Sequence, residues 1–440
     1  MMKNITQIIL AISLTFSCFA QQEKGIVGEV NWLNNWTQFK SNKIDYGEPT
    51  QILAGTISED ALLKKSEVYL LLGSVFVAPG VTLTIEPGSV ILGDYKTNGS
   101  LTIARGAQIL AEGKSTDPII FTSNRSIRKT GDWGGLIILG DAPINRYGSG
   151  SVANFYPNIS PSDYGNTNYG GDEILGSSGV LRYVRIECAG KRVSQDTYFN
   201  GLLLASVGAG TEIDHIMVSN AGEDGIEIWG GNISMSNMVS YRSKGTDFKF
   251  NYGTTSIISN SLAVRSPYAS NGSGDRCLEV LSYHKKEEVD FEKSKTSLDA
   301  NNLTFLNSSK DLEAAIKMNL VHEAIYVGAD AELNMSKSVI SGFNPAVILD
   351  ENIRVNQGNL EKIRFEEMYF NNCNGNIFVE NNSNNDDLEN WYGNRVFFNV
   401  YSKSNNTETF IAADNYKRPD YRLRINKIIA SNIDRDAIDD

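Results

Sequence analysis

Three carboxylates, Glu223, Asp224 and Glu227, sit close together in the chain, and Asp247 follows at about the interval of one structural repeat. Placed on a turn between strands, such groups either supply the hard oxygen ligands that Ca²⁺ requires or cap backbone N–H groups and face solvent. No cofactor is expected, with Ca²⁺ as the alternative. Because the chain lacks a dense Asp/Asn repeat, the ion is expected to contribute little to folding. Arg182 and Arg185 form a second set, which neighbours Asp214 and His215 if two repeats stack in register. An outward arginine there either acts as a base towards a sugar acid or pairs with charges on the next strand. The three histidines, His215, His284 and His322, are scattered, which argues against a histidine metal centre or a Ser-His-Asp triad. The aromatic candidates are Tyr147, Phe155, Tyr156, Tyr164 and Tyr169, in a stretch (146–178) rich in Gly, Ser and Asn. Aromatic faces among adaptable polar groups suit contact with a sugar or a protein, and equally suit a lid packed on a flank.

The elements that must position these groups are short strands. Residues 83–92 and 101–110 share the pattern L-T-I-x-x-G-x-x-I/V-L, a strand, a glycine turn and a strand with no room for a helix. A unit this small cannot bury its own apolar face, so recurrence predicts a stacked solenoid in which Leu83 and Ile85 lie one turn from Leu101 and Ile103. A looser repeat matches 181–190 to 213–222. Its alternation predicts Val184, Ile186, Ile216 and Val218 inward and Arg185, Met217 and Ser219 outward. The fold class read from these patterns is all-β, a right-handed parallel β-helix with an N-terminal cap and loop insertions. Residues 1–20 read as a signal peptide, 21–65 as the cap segment, 66–355 as the β-helix with insertions at 146–178 and 284–297, and 356–440 as late turns and a C-terminal cap.

The formal net charge of −12 disfavours a nucleic-acid partner, which would demand a basic stripe. Lys3, an apolar run over 8–16 and the small-x-Ala site at 18–20 read as an export signal too short to span a bilayer. The alternative is lipidation at Cys18. Cleavage after Ala20 leaves Cys188, Cys277 and Cys373, an odd number at wide spacing, which excludes a disulfide framework.

Together with 83–92, two further phrases, Gly131-Asp132-Trp133-Gly134-Gly135-Leu136 and Asp224-Gly225-Ile226-Glu227-Ile228-Trp229-Gly230-Gly231, make the chain resemble a family of secreted right-handed parallel β-helix proteins common in the Bacteroidetes envelope. The resemblance covers roughly residues 50–265 and implies the fold and a periplasmic, outer-membrane or cell-surface location. It assigns no activity. The reading of function is a non-enzymatic binding or scaffold protein of the bacterial envelope, recognising a glycan or an outer-membrane protein partner on the β-helix flank. The alternative is a polysaccharide lyase or glycoside hydrolase of β-helix type. No segment is expected to span the membrane.

Overall fold

The computed structural model describes residues 24–270, 275–382, 385–415 and 417–424. The signal-peptide and lipidation readings therefore lie outside the described residues. Among those residues, 29 strands join one continuous parallel sheet that winds around three faces, a right-handed parallel β-helix. One turn shows the pattern: Asn232–Ser236 on the first face, Val239–Tyr241 on the second and Phe248–Asn251 on the third. The next turn repeats it with Thr255–Ser259, Leu262–Arg265 and Leu278–Val280, each pairing directly with its counterpart.

Parallel stacking places every side chain above an equivalent one about 4.8 Å away. On the third face the inward column runs Ile228, Phe250, Val280, Val327, Leu349 and Val379. The corner from the first to the second face requires a left-handed residue in each turn. Asn237, Asn260 and Asn302 fill it in three successive turns at φ of 55°, 46° and 55°, and Tyr183, His215, Lys337 and Glu367 fill it in others. Asparagine tolerates that conformation because its short amide bonds locally to the backbone.

The first repeat is in the wrong register. Leu83 and Ile85 point inward on the first face, where they stack against Ile109 and Ala111. Leu101 and Ile103 also point inward, but on the third face, between Val75 and Val77 on one side and Leu136 and Ile138 on the other. The two phrases are successive strand pairs around the circumference, because one circuit needs three faces and 18 residues complete only two. The second repeat is a true turn, with Leu181 opposite Ile213, Val184 opposite Ile216 and Ile186 opposite Val218.

Residues 24–50, read from the sequence as part of an end cap, instead run along the outside of the second face. The Gly25 amide donates to Lys337 O (2.7 Å), the Ile26 amide to Thr304 Oγ1 (2.9 Å), the Val27 amide to Asn260 Oδ1 (2.8 Å) and the Thr50 amide to Val68 O (2.8 Å), so this strap crosses many turns. The reason is that the outward row of the second face is apolar. Ile26, Leu33 and Trp36 bury Met217, Val239, Leu262, Val264, Leu306 and Val339. Arg185, Met217 and Ser219 do point outward, but the strap covers them. At the far end the helix Asp386–Tyr392 tucks Leu388 and Tyr392 against the last turns, and the Tyr392 hydroxyl donates to Ile363 O (2.6 Å). The insertions at 146–178 and 284–297 meet through an Arg146–Glu288 ion pair (2.5 Å) and the Asp290 amide bonded to Asn145 O (2.8 Å).

Ile103 tests the stacking. Ile103→Val should cost about 0.5–1.5 kcal/mol in urea denaturation, whereas Ile103→Asp, which buries an unpaired charge in a dry core, should abolish soluble yield. Near-normal yield of the aspartate variant would contradict the inward placement.

Candidate functional site

The outward row of the third face carries, in register, Leu203, Glu227, Lys249, Glu279 and Tyr326. Parallel stacking thus creates a column of alternating charge. The Lys249 ammonium lies 3.3 Å from Asp224 Oδ2, 3.7 Å from Glu227 Oε1 and 3.5 Å from Glu279 Oε2. Asp224 reaches it from the corner between the second and third faces, where its other oxygen accepts the Thr246 amide (2.7 Å). Glu227 also accepts the Asn200 amide (2.5 Å). Glu279 is shared with Arg276 (2.8 Å), which in turn bonds Glu323.

Glu227 and Lys249 of this column, with Asp224, floor a groove of about 410 Å³. Its walls include Phe155 and Tyr169 from the first insertion, Tyr198 from the 190–200 loop, Trp229 and Tyr252 from the β-helix, and His284 from the second insertion. Trp229 ties the aromatics together, with ring centroids 6.1 Å from Phe155 and 5.7 Å from both Tyr169 and Tyr252.

Burial sets the protonation of the floor. Desolvation, opposed by Lys249 and reinforced by the Asp224 charge, pushes the Glu227 carboxyl up to about 7. Burial works against the Lys249 charge too, yet Asp224, Glu227 and Glu279 outweigh it and hold the ammonium well above the ordinary lysine value. His284 is lowered to about 4 by burial and by Lys249, so its imidazole is neutral at physiological pH. The groove therefore offers a carboxyl that can hold a proton near neutrality beside a second carboxylate, under aromatic walls.

Of the carboxylates singled out from the sequence, Glu223, Asp224 and Glu227 line this groove and Asp247 does not. Asp247 is sealed in the corner between the second and third faces, against Arg265 (2.9 Å) and Ser240 (2.5 Å), and burial raises it to about 6. The four-carboxylate Ca²⁺ arrangement is thereby corrected. Lys249 supplies the cation on which Asp224 and Glu227 converge, and among the described residues no group of three or more His, Cys, Asp or Glu side chains is arranged to hold a metal ion.

The aromatic candidates divide. Phe155 and Tyr169 reach the groove, while Tyr147 and Tyr164 are exposed away from it. Tyr156 is fully buried with its hydroxyl on Thr102 and its ring 5.1 Å from Phe76, out of a ligand's reach. Phe155, Tyr156 and Tyr169 are buried because the outward row here is apolar, and with Val152 they cover Ile137, Leu139, Leu203 and Ala205. Neither arginine considered as a base lines the groove. Arg182 pairs across turns with Glu112 and Glu212, and Arg185 lies under the strap with Glu187 and Tyr46. Lys249, Asn200, Tyr198 and Tyr252 were not legible as site residues, and His284 figured in the sequence only as one of three scattered histidines. The signal for the column was present: 226–228, 248–250 and 278–280 each read apolar, charged, apolar, with alternating sign.

Two outcomes follow from the buried charges. A carboxyl whose folded pKa is raised costs stability progressively from about pH 4.5 to 7 and fully above it, so Glu227→Gln should stabilise the protein at pH 8 by up to roughly 2–3 kcal/mol and have no effect near pH 4. Lys249→Met leaves three carboxylates facing one another and should destabilise by about 3–5 kcal/mol at pH 8, with recovery on acidification. Melting temperatures across pH read both, and a pH-independent difference for either variant would contradict the assignment.

No curated protein matches the chain. The N-terminal fragment of bacteriophage Phi29 gene product 12 is similar over 71% of this chain and 59% of its own length, at 12% identity with a TM-score of 0.23. The chain thus spans less than two thirds of that fragment, and the overlap is too poor to carry an argument. A sequence family described as the pectate-lyase-like β-helix domain matches residues 55–419, from the first strand to beyond the last turn. The chain belongs to that family.

Proposed function

We propose that the protein binds a glycan in the third-face groove, with the aromatic walls stacking on sugar rings and the carboxylate floor accepting hydrogen bonds from sugar hydroxyl or amino groups. The observation that carries this reading is the Asp224–Glu227–Lys249 floor beneath Phe155, Tyr198 and Trp229. Flat apolar faces beside fixed polar groups match the two-sided chemistry of a pyranose.

The lining charges choose among glycans. Arg146 and Lys249 are outnumbered by Asp196, Glu223, Asp224 and Glu227, and both cations are engaged, Arg146 by Glu288 and Lys249 by three carboxylates. Such a surface repels a polyuronate and favours a neutral or amino-sugar chain. Elimination from a sugar acid needs a base and a cation to neutralise the acid, and this groove has no cation to spare.

Glycosidic hydrolysis is the second reading, favoured by one observation: Glu227, pushed up to about 7, stands beside Asp224. A protonated Glu227 would deliver its proton to the leaving glycosidic oxygen, and Asp224 would take a proton from the attacking water. Both readings place the protein outside the cytoplasm, in the periplasm or at the cell surface, as the export pattern at 1–20 suggests. No helix of the described residues is long and apolar enough to cross a membrane.

Titration of tryptophan fluorescence with neutral, amino-sugar and galacturonate oligosaccharides tests both. The neutral or amino-sugar series should bind, and Tyr198→Ala should weaken binding about tenfold without a change in melting temperature. Preference for oligogalacturonate, or no binding by any series, would sink the proposal. Release of new reducing ends that disappears in Glu227→Gln while binding persists would establish hydrolysis. Binding without product would leave the protein a glycan receptor.

A further inference from the structure

A larger cleft, of about 650 Å³, opens on the other side of the corner between the second and third faces. Its walls come from 266–268, 306–318 and 405–414, and Arg242 lines it from the β-helix itself. Arg242 occupies the left-handed turn position that follows a second-face strand, with φ 56°. Equivalent turns place Asn220, Gly342 and Asn372 there, at φ 54°, 86° and 49°. Asn and Gly adopt this conformation at little cost, whereas an arginine is strained by its Cβ. The backbone therefore supplies no reason for arginine at this position.

The side chain supplies one. Its guanidinium carbon lies 5.0 Å from the centroid of the Tyr241 ring, a cation–π contact that holds it over the ring face. Its Nε is buried without a hydrogen-bond partner, and no carboxylate of the described residues pairs with it. Of the two carboxylates that line the cleft, Asp311 is committed to the Ala314 amide (3.0 Å) and Asp414 makes no ion pair with Arg242. Arg242 is half-buried and lines the cleft, and a guanidinium with no carboxylate partner is the group that recognises an oxyanion through its N–H donors. Lys310 adds a second positive charge, and Tyr268 and Met318, 82% and 58% exposed, form an apolar rim above Ser and Asn side chains.

We propose that this cleft is a second binding site, for a sugar-sized ligand bearing an oxyanion, either a carboxylate or a sulfate ester, held on Arg242. It is separate from the acidic groove and its ligand is of opposite preference. Calorimetric titration with glucuronate, N-acetylglucosamine 6-sulfate and uncharged N-acetylglucosamine tests it and distinguishes the two anion sources. At least one charged probe should bind about tenfold or more tightly than the uncharged sugar, and the affinity should fall with added salt. Arg242→Asn should lose that binding about tenfold or more while the melting temperature holds or rises, because asparagine suits the turn. Arg242→Lys, which keeps the charge but loses the paired donors, should fall between and serves as the reporter if the asparagine variant does not fold. Glu227→Gln should leave the binding unchanged. With the acidic groove weakened by Tyr198→Ala, equal binding of charged and uncharged sugars, retention of affinity for the charged probe on adding Arg242→Asn, or no binding of either charged probe up to about 10 mM would each overturn the proposal; loss of the charged probe's affinity in Glu227→Gln alone would do so as well.

Discussion

Every feature of this protein depends on parallel register between successive turns. Once a strand pairs with its equivalent in the turn below, each side chain has a near-identical environment about 4.8 Å away, so a column is either uniformly apolar or must compensate its own charges. Inside, this gives the unbroken column from Ile228 to Val379. Outside, the same rule forces Glu227 and Glu279 to flank Lys249, because two carboxylates in adjacent turns would repel. The charged floor of the groove is thus a direct product of the winding.

The same register explains where the surface is covered and where it is open. The outward row of the second face is apolar over many turns and is buried by the strap at 24–50 together with Phe410, Tyr421 and Leu423 of the C-terminal hairpin. The outward row of the third face is apolar from Ile137 to Leu203 and is buried by aromatics of the first insertion. Covering stops where the row becomes charged, at Glu227, and the groove lies at that boundary. Phe155 and Tyr169 belong to both regions, with one edge packed on the β-helix and the other on the groove wall.

The fold class was legible because β-branched runs and glycine turns recur, and the match of 181–190 to 213–222 even gives the pairing residue by residue. The match of 83–92 to 101–110 misleads for a physical reason: strands on different faces obey the same inward alternation, so similarity of pattern does not identify the face. Glu223, Asp224 and Glu227 were legible as a cluster, but their partner was not sought among cations one turn away. Asp247 resembles them in sequence and differs in space because its carboxylate turns into the corner to meet Arg265. The covering strap was illegible because outward apolar residues such as Met217 and Val239 fall at positions that alternation assigns to solvent.

Family membership settles the scaffold, and the chemistry has to be read from the site. Acting on an acidic glycan requires cations that are free to meet it. In the third-face groove each cation is already consumed: Lys249 by three carboxylates, Arg146 by Glu288 across the two insertions, and neighbouring Arg276 by Glu279 and Glu323. An arginine that meets the requirement, Arg242, lies across the corner in a different cleft. One β-helix therefore carries, near a single corner, a groove whose cations are paired with carboxylates and a cleft whose arginine is not.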